Sequence, residues 1–141
     1  MGEARELGER WFETVRGGDA DAVAAMLTDD VDFVTPVAPV SGPQEAAEFV
    51  THYSTGFPDS DFRVDRWIEE GDTAVAEGHY TGTHTGTLAG PMGEVAATGK
   101  SVDVPFTTVF QARGGRIAAH RAYWDNMSFV MQLGLMPSPG E

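Results

Sequence analysis

Two residues near the end of the chain, Asp125 and His120, have side-chain types and surroundings that suit proton transfer. Asp125 follows Trp124 and precedes an apolar stretch, residues 127–133. Apolar neighbours raise the pKa of a carboxyl group because they exclude the water that stabilises its charge, and such a carboxylate can act as a base near neutral pH. A second interpretation stays open, because an Asp between a strand and a helix is a common N-cap and one carboxylate can serve both purposes.

His120 is predicted to share one strand face with Ala122 and Trp124, since alternate residues of a strand point the same way. Small side chains beside a tryptophan leave room for a cavity, where an imidazole can donate or accept a proton. The alternative is a partly exposed histidine that bonds to a neighbour. Because Trp124 and Asp125 are adjacent, both can reach one cavity only if the strand ends or bends at Trp124.

The strand before the predicted turn at residues 112–115, Ala-Arg-Gly-Gly, supplies a further candidate for substrate contact. If residues 111 and 116 pair across that turn, Thr107 lies opposite His120, whereas a slip of one residue places Phe106 there. A proline in the same strand favours an edge position or a bulge, so both registers stay open. In the first register, Thr107 is predicted to contact bound substrate.

Three side chains elsewhere are candidates for the wall or mouth of the same pocket. Trp11 lies on the first predicted helix, where it is a core residue or part of a pocket wall, and Tyr53 lies on the third. His84 stands in GTHTG (residues 82–86), among glycines that we interpret as a flap at the pocket mouth. A phosphate cradle is disfavoured because no helix pattern follows these glycines.

Composition excludes several classes of function. The 141 residues fit a single domain, 1–141, with a frayed tail at 137–141. The net charge of −13 disfavours binding to nucleic acid or to an anionic membrane. The chain has no cysteine, which excludes disulfides, and its histidines lack metal-ligand spacing, so a structural zinc site is not expected. We expect a cytoplasmic protein with a neutral or weakly acidic organic substrate.

The order of elements predicts an α+β fold. Apolar residues at spacings of four indicate a helix over residues 3–17, and Asp19 is suited to cap a second helix. A short strand at 31–36 and a third helix at about 43–54 follow. From residue 61 the apolar period changes to two, which is typical of strands. Three helices before an antiparallel sheet favour helices packed on one sheet face.

Several segments resemble the SnoaL-like polyketide cyclases of the nuclear transport factor 2-like superfamily. They are GTHTG, ATGK (97–100), GGRIAAHRAYWD (114–125), MQLGLMP (131–137) and the start WFETVRGGDADAVAAMLTDDVDFVTP (11–36). The resemblance implies a cystatin-like cone: a curved antiparallel sheet that, with three N-terminal helices, encloses one deep apolar pocket. It also implies a homodimer. The family's catalytic aspartate corresponds to the D of YWD, which is Asp125 in this sequence.

Comparison within the superfamily disfavours two related activities. Ketosteroid isomerases share the AYW run, but their basic aspartate corresponds here to Thr35 and their oxyanion tyrosine to Trp11. Their protonated aspartate corresponds to Thr107 or Phe106. Limonene-epoxide-hydrolase-like members need an Arg-x-Asp pair on the penultimate strand in addition to the final aspartate, and residues 102–111 have no such pair. Asp125 is the acid that these two comparisons leave.

We therefore hypothesise a cofactor-free cyclase that closes a ring in a polyketide-like carbonyl compound by intramolecular aldol condensation. Asp125 is the expected base, His120 the expected partner of the alkoxide, and Trp11 and Trp124 the expected flat surfaces for an aromatic substrate. Two alternatives stay open: a protein that sequesters a hydrophobic metabolite without turnover, and a hydratase or dehydratase that uses the same pocket.

Overall fold

The fold is a bent sheet with helices packed across its inner face, seen in a computed structural model that describes residues 2–90 and 93–136. The helices are α1 (Glu3–Gly17), α2 (Ala20–Ala25), α3 (Gly42–Gly56) and α4 (Asn126–Gln132). The strands are β1 (Leu27–Val34), β2 (Asp61–Glu70), β3 (Thr73–Thr83), β4 (Leu88–Gly90), β5 (Gly93–Val95), β6 (Ser101–Arg113) and β7 (Arg116–Trp124). The predicted frayed tail, 137–141, lies outside the described residues. No helix in the described part is long and apolar enough to cross a membrane.

The large sheet has the strand order β1-β7-β6-β3-β2, and β4 pairs with β5 in a separate hairpin. The predicted α+β class is confirmed. The expectation of a wholly antiparallel sheet is wrong at one pair, because β1 runs parallel to β7. Parallel neighbours need a long connection, and here residues 35–115 provide it.

Helix α1 lies across the inner face of the sheet, against β2, β3 and β6. Its predicted periodicity is confirmed, since Leu7, Trp11 and Val15 are all buried. Gly18 ends the helix with a φ of 74°, a left-handed conformation that favours glycine. Asp19 caps α2 as predicted, because its carboxylate accepts hydrogen bonds from two backbone N–H groups of the first turn.

A bulge in β2 bends the sheet. The pairing of β2 with β3 shifts between Val64 and Arg66, so that Asp65 is the extra residue. Gly78 lies opposite Val64, where the strands approach so closely that an added Cβ would be 1.9 Å from the carbonyl oxygen of Arg63. Bulges of this kind increase the local twist of a strand. The curved sheet therefore leaves a hollow on the side that faces the helices.

The register of β6 and β7 differs from both predicted registers. Gly114 and Gly115 form the turn with φ values of 60° and 79°, so the strands continue closer to the turn than expected. A further shift between Gln111 and Ala112 then places Phe110, rather than a residue at 106 or 107, opposite His120. Two consecutive glycines with positive φ are typical of a two-residue hairpin turn, and this explains the difference.

Candidate functional site

A cavity of about 90 Å³ lies between the helices and the inner face of the sheet. Aromatic and aliphatic side chains from α1, α3, α4 and the large sheet form most of its wall. Apart from two indole rings, the polar groups in the wall belong to Thr35, Tyr53, Tyr80, Thr108 and His120. No Asp, Glu, Lys or Arg is among the described residues that line it. Such a wall suits an uncharged and largely apolar ligand.

His120 is enclosed by aromatic rings, and only 5 % of its surface is exposed. Its imidazole stacks on Phe33, with ring centroids 4.4 Å apart, and contacts Trp11 at 4.9 Å. The Nδ1 atom is buried and has no hydrogen-bond partner among the described residues. Burial removes the water that would stabilise an imidazolium and so lowers the pKa of His120 to about 3. The imidazole in the cavity is therefore neutral at physiological pH.

Two tyrosines add hydroxyl groups to the wall. Burial raises the pKa of Tyr53 to about 12 and raises the pKa of Tyr80 as well. Both phenols therefore stay protonated at neutral pH and can donate hydrogen bonds. With a neutral His120 and protonated tyrosines, the cavity carries no net charge.

Three predicted contact residues line the cavity. Trp11, Tyr53 and Trp124 are all part of its wall, and Trp124 shares the inner face of β7 with His120 and Ala122, as the strand alternation predicted. The indole Nε1 of Trp124 donates a hydrogen bond to the side chain of the nearby Asn126, at 3.2 Å, and this fixes the ring. The positions are confirmed, and contact with a ligand stays a prediction.

Asp125 does not line the cavity, and the expectation of a carboxylate in an apolar pocket is wrong. The side chain is exposed and caps α4, accepting a hydrogen bond from the backbone N–H of Ser128 at 3.0 Å. The strand does end at Trp124, but the chain then turns into α4 with Asp125 on the outside. The N-cap interpretation is therefore the one that the structure supports.

Thr107 also lies outside the cavity. It pairs with Tyr123 on the outer face of the sheet, because the register shift near the turn reverses the face that was expected for it. Phe106 and Thr108, its neighbours in β6, point to the inner face and line the cavity. The expectation that Thr107 faces the cavity is therefore wrong, while its contact with substrate stays a prediction.

His84 is fully buried but is not part of the cavity wall. Its Nδ1 accepts a hydrogen bond from the backbone N–H of Thr98 at 3.2 Å, and its ring stacks on Phe57 with centroids 5.1 Å apart. The histidine thus fastens the glycine-rich segment to the core, since Thr98 belongs to that segment. The expectation that His84 lies at the pocket mouth is therefore wrong, while its contact with substrate stays a prediction.

Sequence reasoning missed Tyr80. Its position on β3 shares the inner face with Ala74, Ala76, Gly78 and Gly82, so it is the one large side chain in a row of small ones. A bulky residue among small neighbours on an inner strand face borders open space, and that pattern was available in the sequence. Within residues 2–90 and 93–136, no group of three or more His, Asp or Glu side chains could hold a metal ion.

The buried imidazole predicts that the free energy of unfolding depends on pH. The pKa of His120 is about 3 in the folded chain and 6.5 in the unfolded chain, so the unfolded state binds more protons between these values. The stability present above pH 6.5 is therefore lost as the pH falls, by about 2 kcal/mol between pH 7 and pH 5. Urea unfolding at the two pH values measures this difference.

The control for this prediction is His120→Phe, which should remove most of the pH dependence in this interval. Asp30 and Asp59 have pKa values below 3.8, lowered chiefly by hydrogen bonds from Arg113 and from the Thr83 N–H, so they do not titrate between pH 5 and 7. An equal pH dependence in the parent and the variant would contradict a buried, neutral His120.

Comparison with protein families identifies the chain. The model of the SnoaL-like domain matches residues 8–120, which is most of the sequence. The chain belongs to the SnoaL-like domain family. The matched region of this SnoaL-like chain ends at His120 and does not include Asp125. A search of curated protein sequences gave no match.

Solved structures share the fold of this SnoaL-like chain. A candidate SnoaL-like polyketide cyclase from Jannaschia sp. CCS1 is 24 % identical, with a TM-score of 0.80 over 96 % of this chain and 94 % of that one. IdmH from Streptomyces antibioticus, also a candidate polyketide cyclase, is 20 % identical, with a TM-score of 0.74 over 94 % and 99 %. TerC, co-crystallised with polyporic acid, is 17 % identical, with a TM-score of 0.72 over 94 % and 99 %. The expected nuclear transport factor 2-like and ketosteroid isomerase-like fold is confirmed.

Proposed function

We propose that this SnoaL-like protein binds a neutral, flat carbonyl compound and closes a ring in it by intramolecular aldol addition, with His120 as the group that moves the proton. The observation that carries the proposal is the neutral imidazole of His120 in the wall of an uncharged aromatic cavity. His120 is the one nitrogen base among the described residues that line this cavity. Asp125, which lies outside, keeps its role as the N-cap of α4.

The reaction needs one proton acceptor and a folded substrate. His120 accepts the proton from a carbon between two carbonyl groups, and the resulting enolate carbon attacks a third carbonyl carbon, farther along the same molecule. A carbon–carbon bond forms, the oxygen of that third carbonyl becomes an alkoxide, and the alkoxide takes the proton back from His120. The product contains the same atoms as the substrate, and nothing is oxidised or reduced, so the step requires no redox cofactor.

The low pKa of free His120 sets a condition on the mechanism. An imidazole with a pKa of about 3 is a weak base when it is alone in an apolar cavity. In the complex, the imidazolium would lie beside the enolate, and an opposite charge nearby in a medium of low dielectric favours the charged form. Proximity of the two reacting carbons supplies a further part of the rate, because ring closure within a bound chain avoids the entropy of bringing two molecules together.

The shape and charge of the cavity support the substrate class. Trp11, Tyr53 and Trp124 offer flat ring faces to a planar ligand, and no described residue of the wall is charged at neutral pH. The strongly acidic surface, with a net charge of −13, disfavours a highly anionic substrate. The co-crystal of TerC with polyporic acid is consistent with a cyclic organic ligand in this fold.

Mass spectrometry tests the proposal with a panel of phenyl-capped linear triketones, each with one carbon between two carbonyl groups and a third carbonyl placed to close a five- or six-membered ring. The expected result is a cyclic product with the mass of the substrate, formed faster than in buffer alone. A linear product that is heavier or lighter by one water molecule would indicate a hydratase or dehydratase, whereas a cyclic product lighter by one water molecule would be the ring-closed adduct after dehydration. If no member of the panel is converted faster than in buffer, the proposed ring closure is contradicted.

Sequestration without turnover is the second candidate, and a specific observation favours it. The cavity wall has no carboxylate among its described residues, and the pKa of its histidine is low. Tight binding of the same ketones without any product would support this candidate, with the apolar wall supplying the affinity.

A further inference from the structure

The hydroxyl group of Tyr80 is buried without a hydrogen-bond partner in the described part of the chain. Tyr80 lies on β3, is 9 % exposed and forms part of the cavity wall. Its ring packs against Phe62, with centroids 5.0 Å apart, and against Phe57 at 6.1 Å. A phenylalanine would make the same ring contacts and would leave no polar group unsatisfied.

The surroundings of this hydroxyl locate it at the cavity. The Tyr53 phenol, which also lines the cavity, lies close enough to contribute to the raised pKa of Tyr80, after the larger effect of burial. The Ser60 side chain lies near enough to oppose that rise in part, yet the two groups do not form a hydrogen bond of acceptable geometry. The Tyr80 hydroxyl is thus a protonated group without a hydrogen-bond acceptor among the described residues.

Tyr80 and His120 lie toward opposite ends of the cavity. Tyr80 pairs with Val104 of β6, whereas His120 pairs with Phe110 of the same strand. Six positions separate these partners, which corresponds to about 20 Å of extended strand. Phe106 and Thr108 lie between these partners on the same inner face and also line the cavity, so Tyr80 and His120 face different parts of a bound ligand.

We infer that Tyr80 anchors a carbonyl or hydroxyl oxygen of the ligand, at the end of the molecule distant from the carbon that His120 deprotonates. The inference rests on the proposed function for the class of ligand, and it adds a length requirement. The preferred ligand is elongated and carries oxygen atoms toward both ends. A compound with oxygen at only one end leaves either the Tyr80 hydroxyl or the His120 imidazole without a partner, which lowers its affinity.

The test compares two elongated probes, diacetylnaphthalene with its acetyl groups at opposite ends and diethylnaphthalene, which has nearly the same shape without oxygen. Dissociation constants are measured from the fluorescence of the intrinsic tryptophans in the parent chain and in Tyr80→Phe. We expect Tyr80→Phe to weaken binding of diacetylnaphthalene by about 3- to 10-fold, the effect of one neutral hydrogen bond, and to leave diethylnaphthalene unchanged.

Two further readouts separate an anchoring role from a structural one. The infrared carbonyl bands of bound diacetylnaphthalene should include one band shifted to lower frequency in the parent and absent in Tyr80→Phe. The urea midpoint of Tyr80→Phe should equal or exceed that of the parent, because the substitution removes a buried hydroxyl that makes no hydrogen bond to the described residues of the folded chain. Tyr123→Phe is the matched control, since Tyr123 is 50 % exposed and lies on the outer face of the sheet.

Several results would overturn the inference: equal weakening of both probes, no weakening of either, no shifted carbonyl band, or no binding of diacetylnaphthalene to the parent chain. These results are distinct from failure of the proposed function. If Tyr80→Phe discriminates between the probes but no ketone is cyclised, the anchoring role stands and ring closure fails. If ketones are cyclised and the probes are treated alike, the anchoring role alone fails.

Discussion

Replacing His120 with phenylalanine is expected to slow ring closure by about 100- to 10,000-fold, the usual contribution of a positioned acid or base. Phenylalanine keeps a ring between Phe33 and Trp11, so the aromatic packing of the cavity is retained while the proton acceptor is lost. The rate is measured under single-turnover conditions with whichever ketone of the panel the parent converts. Circular dichroism and urea unfolding establish that the variant is folded.

The matched control is Asp125→Asn. Asparagine caps a helix about as well as aspartate does, so α4 and the adjoining Trp124 should stay in place. Because the carboxylate is exposed and lies outside the cavity wall, we expect a rate within about twofold of the parent, too small a change to reflect loss of an acid or base. A loss in Asp125→Asn as large as that in His120→Phe would restore Asp125 as the base, and near-parent activity in His120→Phe would refute our assignment of the proton acceptor.

Replacing Gly78 with alanine is expected to destabilise the fold by about 3 kcal/mol or more. The new Cβ would lie 1.9 Å from the carbonyl oxygen of Arg63 and 2.9 Å from the Cα of Val64. Both are backbone atoms, so no side-chain rotation relieves the overlap, and β2 must separate from β3 at the bulge. Urea unfolding measures the loss, and a decrease below about 1 kcal/mol would mean that the bulge tolerates a side chain.

Gly17→Ala provides the control for the chemistry of the glycine-to-alanine change. An added Cβ at Gly17 has no atom within 4 Å, and the residue ends α1 without a positive φ. Alanine favours the helix over glycine by up to about 1 kcal/mol, so this variant should be as stable as the parent or slightly more stable. The contrast between the two positions isolates the steric cost at the bulge.

Much of the framework could be predicted from local patterns. The spacing of Leu7, Trp11 and Val15 indicated α1 and its buried face, and the change of the apolar period to two at residue 61 indicated the strands that begin with β2. The face shared by His120 and Trp124 also followed from strand alternation. In each case the signal comes from residues close together in the sequence, and the tertiary structure agrees with it.

The errors arose where the backbone conformation of one or two residues determines which way side chains elsewhere in the sheet or helix point. The two glycines at 114 and 115 and the shift beside Gln111 move Phe110 opposite His120, and so turn Thr107 to the outer face. The neighbours of Asp125 in the sequence are apolar, but the direction of its side chain is set by the first turn of α4, where the backbone N–H of Ser128 donates a hydrogen bond to the carboxylate. Sequence proximity to apolar residues therefore did not establish burial.

The parallel pair of β1 and β7 also constrains how the protein folds. Phe33 and His120 stack on each other although they come from opposite ends of the chain. Bringing such distant segments together costs loop-closure entropy before any contact compensates for it, and folds rich in non-local pairs form slowly. During synthesis on the ribosome, the cavity around His120 cannot form until β7 has left the exit tunnel and has docked beside β1.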